Sequence, residues 1–362
     1  EASRALRGAF TRAIDNNACM RHTGLTRPTH EWTISKFGLR SLLPRGLEVR
    51  AGPGCPVCVT SVSEIRAAIE LALSKNVVLT TYGDMFRVPT AKGLSLMKAK
   101  AKGADVRIVY SIADAIGIAK KLNREVVHFA IGFETTAPTT AIEVVKGLPE
   151  NFSLIVSHRL IPPAMEHLLK SGDIAIGGFI CPGHVSTIIG SEPYEPIAKR
   201  YRKPMVIGGF EPLDVLASLV MLLEQIRDGR CDVEIEYTRS VKREGNVRAK
   251  RLMKEVFEVC DGDWRGIGVI PLSKLKLKKD FEQFDALKKF DVEVEVEEDM
   301  PKGCKCADVL KGLIYPWECP LYSKACTPAN PVGPCAVSVE GACYIAMKQG
   351  IRGFEDVFRL DV

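Results

Sequence analysis

Short apolar runs rich in β-branched residues alternate with amphipathic segments through the middle of this chain. Such alternation is typical of βαβ units, in which helices connect parallel strands. It predicts an α/β core over about residues 45–230. The predicted strands are Val77–Thr81, Val106–Ser111, Val126–Ile131, Leu154–Ser157, Ile174–Ile180 and Met205–Gly208, and the predicted helices are Ala113–Leu122, Thr139–Lys146, Ala164–Lys170 and Leu213–Arg227.

Two of these strands end in the same tripeptide, Gly-Phe-Glu, and then enter a predicted helix. The first copy lies within Val126–Pro138 and the second within Met205–Pro212. Self-similarity of this kind indicates repeated structural units, so we expect two related βαβ-type subdomains with parallel sheets. Parallel sheets bind ligands beyond the carboxyl ends of their strands. Both Gly-Phe-Glu turns are therefore predicted to lie on the functional surface.

Composition divides the chain into four predicted segments. These are an N-terminal segment (1–44), a first α/β domain (45–150), a second α/β domain (151–245) and a C-terminal helical and cysteine-rich region (246–362). From Asp232 to Asp299 the sequence is strongly charged, with a predicted helix over Asn246–Cys260 and a Lys/Glu-rich stretch over Lys274–Glu298. A solvated surface that connects two regions is the preferred interpretation of such charge.

Composition and charge exclude several classes of protein. The net charge is only +6, and no basic patch is interleaved with aromatic residues, so no nucleic-acid partner is expected. Val215–Leu223, the longest apolar stretch, is far shorter than the ~20 residues that span a bilayer. Glu1–Met20 has no apolar secretory core. Twelve cysteines, about 3% of 362 residues, fall short of a secreted disulfide scaffold, so a cytoplasmic protein without a membrane partner is expected.

A Cys-x-x-Cys dithiol lies in the turn Gly52–Cys58, which reads Gly-Pro-Gly-Cys-Pro-Val-Cys. Cys55 and Cys58 are close enough in sequence to form a disulfide. A helix predicted over Ser61–Lys75 would lower the pKa of a thiol that precedes it. Half of a zinc knuckle has the same spacing, but no second pair stands nearby to complete one. Thiol redox chemistry is therefore favoured over a zinc site.

Six further cysteines crowd the last sixty residues, among several prolines. Thiolates in short proline-bearing turns can converge on one soft metal centre, and Cys-Pro recurs in iron–sulfur ligation. The spacing matches neither a two-cluster ferredoxin nor a zinc ribbon. A 4Fe-4S cluster is the preferred interpretation, with zinc and plain thiols or disulfides as alternatives. The cysteines are Cys304, Cys306, Cys319, Cys326, Cys335 and Cys343.

Three polar turns follow predicted strands. They are Gly132–Thr136, Ser157–Arg159 and Pro182–Ser186. Taken singly, each is more readily explained by structure, as Thr136 would be by a helix N-cap. Three such turns at one edge of a sheet favour a binding site. The candidate side chains are Glu134, Thr135, Thr136, His184 and Ser186.

Together, Gly52–Cys58, Gly132–Pro138, Pro182–Gly190 and the cysteine tail resemble the HypD family of hydrogenase maturation factors, over about Thr29 to Gly350. The resemblance implies a scaffold and redox protein for the iron that carries two cyanides and one carbon monoxide in nickel-iron hydrogenases. The implied partners are a HypC-like small chaperone and a HypE-like cyanide donor. Electrons would pass from a C-terminal 4Fe-4S cluster through the dithiol to the cyanation site. Whether the chain is itself an enzyme stays open.

The resemblance also implies roles for individual residues. The implied catalytic residues are Cys55, Cys58, His30, Glu134 and His184. The implied residues at the transient iron are Thr29, His30, Thr135, Thr136 and Ser186. The chosen cluster ligands are Cys306, Cys319, Cys326 and Cys343, with Cys304 and Cys335 as alternates.

One departure from the family concerns its Cys-Gly-Thr-His motif, whose cysteine is expected to bind the iron. Thr29 and His30 match, but Arg27 and Pro28 replace Cys-Gly and supply no thiolate. The stretch before them, 16–27, reads unlike the apolar strand that the family places there. A frameshift in the gene or a genuinely altered protein would each produce this, and Cys19 is the only other thiol before Cys55. Iron holding should be impaired while the dithiol and the tail remain.

Two other functions stay open on the sequence alone. A stand-alone iron–sulfur thiol–disulfide oxidoreductase would use the same dithiol and the same cluster without partner proteins. A protein with zinc in its tail would have no redox role. The first predicts reduction of external disulfides, and the second predicts zinc without iron.

Overall fold

A computed structural model describes residues 22–26, 28–43, 47–74, 76–172, 176–292 and 298–358. Eleven strands lie within these ranges. They are β1 (His22–Thr26), β2 (Leu47–Ala51), β3 (Val77–Thr81), β4 (Asp105–Ile108), β5 (Glu125–Gly132), β6 (Phe152–His158), β7 (Ile176–Pro182), β8 (Met205–Gly208), β9 (Val233–Ile235), β10 (Phe257–Trp264) and β11 (Gly268–Leu277).

Helices connect most of these strands. In chain order they are α1 (Pro28–Lys36), α2 (Pro56–Val59), α3 (Val62–Ser74), α4 (Gly83–Phe86), α5 (Leu96–Ala101), α6 (Ile112–Ala119), α7 (Ala137–Lys146), α8 (Ile161–Ser171), α9 (Gly183–Ile189), α10 (Glu195–Tyr201), α11 (Pro212–Arg227), α12 (Val247–Val256), α13 (Ala286–Lys289), α14 (Cys306–Leu310), α15 (Ala342–Lys348) and α16 (Phe354–Phe358). Short 3₁₀ helices cover Leu39–Leu42, Glu192–Tyr194, Lys279–Phe284, Pro316–Glu318 and Pro334–Ala336. No helix in the described part of the chain combines the length and apolarity needed to cross a bilayer.

Two parallel sheets form the core. The first, sheet I, has the order β2-β1-β7-β8-β9, and the second, sheet II, has the order β4-β3-β5-β6. Every pair of neighbouring strands in both sheets is parallel. The predicted α/β class with parallel sheets is confirmed. Each sheet combines strands from both predicted α/β domains. β2 of the first predicted domain joins β7–β9 in sheet I, and β6 of the second joins β3–β5 in sheet II.

The prediction for the N-terminal stretch is wrong over His22–Thr26, which forms β1 at an interior position of sheet I. Parallel ladders to β2 and β7 flank it on both sides. Strand preference depends on context more than helix preference does. The backbone of β1 has hydrogen-bond partners in two neighbouring strands, and the side-chain pattern of the sequence does not report them. Residues 16–21 and Arg27 lie outside the described residues.

The other predicted strands are confirmed to within a few residues at their ends, and one boundary shows why ends are hard to place. The predicted strand Val106–Ser111 ends at Ile108, and α6 begins at Ile112. Ser111 accepts a hydrogen bond from the Asp114 backbone, and the Asp114 carboxylate accepts one in return from the Ser111 backbone. This capping box marks a helix start that the apolar pattern alone extends past.

The charged stretch after Asp232 is not only a solvated connection. The predicted helix Asn246–Cys260 ends at Val256, and Cys260 lies in β10. Strands β10 and β11 pair antiparallel as a ribbon in which burial alternates over Ser273–Leu277, with Leu275 and Leu277 buried. Trp264 is fully buried, and its indole N–H donates to Ser273 Oγ at 2.8 Å. Charged residues at the intervening positions hid this two-residue period.

The largest apolar cluster lies between the two sheets and includes the C-terminal region. Leu79 and Phe129 of sheet II and Phe179 and Ile207 of sheet I belong to it, together with the dithiol and five tail cysteines. Separate clusters cover the other face of each sheet. The cysteine-rich region is therefore part of the main core and not an appendage.

Two histidines are buried in sheet II as neutral side chains. His128 Nδ1 lies 3.1 Å from Thr80 Oγ1, and His158 Nε2 lies 3.0 Å from Thr140 Oγ1. Burial lowers the pKa of His128 to about 4 and the pKa of His158 to about 3. Protonation of either ring would place a charge in an apolar interior.

These histidines make stability fall with acidification. The unfolded chain takes up a proton near pH 6.5 at each histidine, whereas the folded chain does so only near their lowered pKa values, so the free energy of unfolding should decline from pH 6.5 to about pH 4. The shift of His128 alone corresponds to about 3 kcal/mol across that window. Urea unfolding at stepped pH measures the slope. His128→Gln should flatten it and the half-buried control His167→Gln should not, whereas an unchanged slope in His128→Gln would contradict the assignment.

Candidate functional site

The dithiol follows the carboxyl end of β2, on the single helical turn α2. Cys55 is the N-cap of that turn, and its sulfur accepts from the Cys58 backbone N–H at 3.2 Å. The two cysteines are paired as a disulfide. Cys55 is 1% exposed and Cys58 is 0% exposed. The helix predicted to follow is α3, which begins at Val62, so the dithiol lies on a separate helical turn before that helix.

The sulfur of Cys58 lies against the C-terminal region, 276 residues further along the chain. Its closest polar contact there is the Pro334 carbonyl oxygen, at 3.8 Å. Pro334 opens the 3₁₀ helix that contains Cys335, and Cys335 is paired with Cys306 as a second disulfide. The dithiol and the cysteine tail, two separate motifs in the sequence, therefore meet in the fold.

All six tail cysteines line one cavity, here called the cysteine cavity. Its other lining residues carry no imidazole or carboxylate, and Tyr322 is the most polar of them; they are Leu321, Tyr322, Gly333, Ala336 and Met347. Four of the cysteines have free thiols, namely Cys304, Cys319, Cys326 and Cys343. Within the described residues no three potential ligands already stand in metal-binding geometry.

The free thiols of the cavity are unfavourable places for negative charge. Burial, with a smaller contribution from the nearby Cys319 and Cys326 thiols, raises the pKa of the Cys304 thiol to about 11. Burial also raises the pKa of Cys343 well above its usual range, with the same kind of contribution from its neighbours. Four thiolates become stable there only beside a positive group such as a metal centre. A soft, all-sulfur donor set in apolar surroundings fits an iron–sulfur cluster.

The segment around Cys335 is held in place by contacts on both sides. Asp84 accepts from Ser338 Oγ at 2.8 Å and from the Val339 backbone at 3.3 Å. Gly333 passes so close to the Cys304 sulfur that a Cβ atom would collide with it. Glycine is therefore required there by space, and the Asp84 carboxylate fixes the turn that follows Cys335.

The two candidate histidines come together at the carboxyl edge of sheet I, one on each side of Phe210. The ring centroid of Phe210 lies 5.1 Å from that of His30 and 4.0 Å from that of His184, and both pairs are stacked. His30 Nε2 lies 3.2 Å from the Gly208 carbonyl oxygen. His30 is buried and His184 is half-buried, and burial lowers the pKa of the latter. The prediction missed Phe210, although it belongs to the repeated Gly-Phe-Glu tripeptide.

Charged groups border this histidine pair. Glu236 accepts from the Gly209 backbone at 2.8 Å, and burial raises the pKa of its carboxyl. Asp214 forms an ion pair with Arg239, whose guanidinium lies over the ring of Tyr237 at 4.4 Å. None of these side chains was singled out from the sequence, because each lies after β8 in a stretch without a recognisable motif.

The remaining candidates serve mostly internal contacts. Glu134 is buried, and its Oε1 accepts from the Ile161 backbone at 2.8 Å, at the start of α8. Ser186 donates to the Pro182 carbonyl at 2.8 Å and lies 3.1 Å from Tyr194 Oη. Thr135 is exposed, and Thr136 packs against Gly132. The side chain of Thr29 lies outside the described part of the structure.

Comparison with known proteins decides the family. A family model named HypD, with the description "Hydrogenase formation hypA family", matches residues 18–350. The chain belongs to the HypD family. It is 47% identical over 325 residues to hydrogenase maturation factor HypD2 of Bradyrhizobium diazoefficiens, which covers 87% of this chain and 85% of that protein.

Other relatives of this HypD-family chain come from distant organisms. A putative hydrogenase expression/formation protein of Methanocaldococcus jannaschii is 48% identical over 324 residues, covering 88% of this chain and 89% of that protein. Hydrogenase maturation factor HypD of Cupriavidus necator is 46% identical over 339 residues, covering 91% and 89%. The similarity therefore extends along most of each protein and is not confined to the cysteine motifs.

A buried ionic network in the HypD-family chain escaped sequence analysis. Glu64 of α3 accepts from Arg159 at 2.6 Å, from Lys274 at 2.5 Å and from Ser157 Oγ at 2.8 Å. Burial alone would raise the pKa of Glu64, but the Arg159 and Lys274 cations hold it well below its usual range. The network ties the helix after the dithiol to sheet II and to the β10–β11 ribbon. Partners separated by 93 or more residues leave no local sequence signal.

The stacking around Phe210 predicts a measurable change in His184. Because burial is what lowers the pKa of His184, Phe210→Ala should let it rise toward 6.5. The imidazole NMR signals, titrated between pH 4 and 8, report this value. Phe37→Ala removes an exposed ring elsewhere on the chain and should leave it unchanged. A His184 titration that is the same in Phe210→Ala and in the parent would refute the role of the ring.

Proposed function

We propose that this chain is a cytoplasmic scaffold and redox protein for building the iron group with two cyanides and one carbon monoxide of nickel-iron hydrogenases. A HypC-like chaperone would share the iron, and a HypE-like protein would supply cyanide. Membership of the HypD family supports the maturation role. The observation that carries the redox part is the contact of Cys58 with the Pro334–Ala336 turn, which joins the dithiol to the cysteine cavity.

The chemistry of cyanide delivery explains the need for a dithiol. A cyanide carried on sulfur, R–S–CN, leaves as cyanide only when the S–C bond takes up two electrons. Reduced Cys55 and Cys58 supply both: R–S–CN and two thiols give R–SH, HCN and the Cys55–Cys58 disulfide. A carrier thiol and a protein disulfide remain, and the cyanide is available to the iron. Each cyanide therefore requires one reduction of the disulfide.

The cysteine cavity would hold the 4Fe-4S cluster through Cys304, Cys319, Cys326 and Cys343. This choice replaces Cys306 of the sequence-based set by Cys304, because Cys306 is paired with Cys335 whereas the other four thiols are free and line one cavity. When bound, such a cluster supplies electrons one at a time. The chain's own contribution is to bury the four sulfurs and to keep the Cys335 turn against Cys58.

The iron cargo fits the histidine pair at the edge of sheet I. A neutral imidazole is the form that binds metals, and burial keeps His184 in that form near neutral pH. Phe210 lies between the two rings and sets their separation. We assign His30 and His184 to iron contact or proton transfer. Glu134 and Ser186 would act by supporting the neighbouring backbone, since their side chains already have partners there.

The main alternative, a stand-alone thiol–disulfide oxidoreductase, is disfavoured by the contact of the dithiol with the cysteine tail. Burial does not separate the two functions, because an external disulfide and a carrier-bound S–CN group must both reach the same buried sulfurs. The internal contact of Cys58 with the tail favours an internal source of electrons instead. A zinc site in the cysteine cavity is also disfavoured, because it would give the neighbouring Cys55–Cys58 dithiol no role.

The ligand assignment predicts opposite results for two neighbouring cysteines. Cys304→Ser should lose most of the iron and the visible absorbance of the anaerobically purified protein, because it removes one of four thiolates. Cys306→Ser should keep both, since Cys306 is paired with Cys335. Iron and sulfide analysis with visible spectroscopy measures the effect. Cys231→Ser, a half-exposed free thiol far from these residues in sequence, is the matched control.

Full retention of iron in Cys304→Ser with loss in Cys306→Ser would restore the ligand set derived from sequence. Zinc without iron in the parent protein would favour the zinc alternative over the cluster.

The missing thiol at position 27 predicts that this chain holds the iron cargo poorly as it stands. The double variant Arg27→Cys/Pro28→Gly recreates the family motif and should increase iron bound jointly with a HypC-like partner, by about tenfold or more in affinity, since a thiolate is a strong soft ligand. Anaerobic co-purification followed by iron analysis and infrared spectroscopy of metal-bound cyanide detects it. Arg27→Ser/Pro28→Gly is the matched control, because it changes the same positions without a thiol.

Equal iron in the Cys and Ser double variants would show that a residue other than 27 holds the cargo. Failure of every variant to bind a HypC-like protein, together with rapid reduction of external disulfides, would favour the oxidoreductase.

A further inference from the structure

An open groove of about 590 Å³ runs beside the cysteine cavity. One wall comes from the segment between β3 and α5, and the other from the loop after Cys326. The residues that line the groove include Arg87, Met97, Lys98, Pro301, Pro328 and Val332. Neither the dithiol nor the histidine pair uses this groove, so the proposed cyanide chemistry leaves it without a role.

The groove and the cysteine cavity share a wall. Val332 lines the groove, and its backbone N–H donates to the Cys326 sulfur at 3.4 Å. The next residue, Gly333, lines the cavity and faces the Cys304 sulfur. A molecule seated in the groove is therefore separated from a cavity sulfur by little more than one residue of backbone. Few places on a protein surface come so close to a buried thiol.

The charge of the groove has one sign. Arg87 and Lys98 line it, and none of its lining residues is acidic. Arg87 also donates to the Pro328 carbonyl, which places a cation directly on the shared wall. Lys92 and Lys302 are exposed and are sequence neighbours of lining residues, since Lys92 lies between Ala91 and Gly93 and Lys302 directly follows Pro301. Clustered charge of one sign steers oppositely charged partners and raises their rate of encounter.

An exposed apolar side chain accompanies these cations. Met97 of α5 lines the groove and is 45% exposed. Protein interfaces are enriched in methionine and arginine, and a polar rim surrounds their apolar contacts. The combination of Met97, the cations and the open shape favours a protein over a small anion as the ligand of the groove. A small anion would need an enclosed, fully polar site.

We propose that this groove docks an acidic one-electron carrier protein that reduces the chain through the Val332–Cys326 contact. The inference rests on the proposed function, because it supplies the electrons that the dithiol consumes. Each encounter oxidises the carrier by one electron. Two encounters and two protons convert the Cys55–Cys58 disulfide into two thiols, which restores the pair after each cyanide is delivered.

The test measures docking and reduction separately, with a plant-type [2Fe-2S] ferredoxin as the acidic carrier and the anaerobically purified full chain. Isothermal titration calorimetry gives the dissociation constant at low and high salt. Quenching in denaturant that contains an alkylating reagent, followed by mass spectrometry, gives the rate at which thiols appear at the buried Cys55 and Cys58 with reduced ferredoxin or with dithionite. Lys98→Glu/Lys302→Glu reverses one lining charge and one exposed charge next to the lining residue Pro301, and Lys199→Glu/Lys254→Glu reverses two exposed charges elsewhere.

The groove variant should bind ferredoxin about tenfold more weakly or worse, and ferredoxin should reduce its dithiol correspondingly more slowly. Dithionite, which needs no docking, should reduce it at the parent rate. The control variant should match the parent in both, and high salt should weaken the parent's binding. Because Lys98 also donates to the Gly93 carbonyl, Lys302→Glu alone gives a second measurement in which that bond stays intact.

Equal ferredoxin affinity and equal ferredoxin-driven rates in parent and groove variant would overturn the docking proposal. A parent whose dithiol is not reduced by dithionite would instead overturn the proposed function, while the calorimetry would still decide whether the groove binds the carrier.

Discussion

The contact between Cys58 and the Pro334–Ala336 turn is the constraint on which the rest of this structure depends. It joins two thiol systems that are 276 residues apart in sequence, and it requires the tail to enter the core between the sheets. Asp84 fixes the turn from one side, and the absence of a side chain at Gly333 permits close approach on the other. A redox route through a protein needs contacts of this kind, because electrons pass efficiently only between groups held close together.

Parallel topology explains why the other functional groups lie where they do. His30, His184 and Phe210 follow β1, β7 and β8, which are neighbours in sheet I, so their turns meet at one edge. The dithiol follows β2 of the same sheet and is braced from sheet II through the Glu64 network. The two sheets thus contribute differently: sheet I positions the dithiol and the candidate histidines, and sheet II fixes the helix that follows the dithiol.

Sequence reasoning predicts those features whose cause is local. Strands β3, β5 and β8 follow from runs of apolar residues, and His184 follows from a polar turn at a strand end, whereas His30 came from the family resemblance. Strand β1 was missed because two neighbouring strands decide it, and the Glu64 network because its partners are distant in sequence. The choice of Cys304 over Cys306 could not be made from spacing either. A single residue, Lys305, separates these cysteines, and only the three-dimensional fold pairs one of them with Cys335.

Burial affects both thiol systems. In the cysteine cavity, burial raises the pKa values of Cys304 and Cys343 and so favours their protonated thiols in the absence of a positive centre. At the dithiol, both sulfurs are buried, and Cys58 lies against the tail. The thiol that this chain lacks, at position 27, belongs to neither system. On the proposed function, its loss separates two roles that an intact family member would combine: a chain with Arg27 would keep the means to deliver electrons and would lose a ligand for the iron that receives the cyanide.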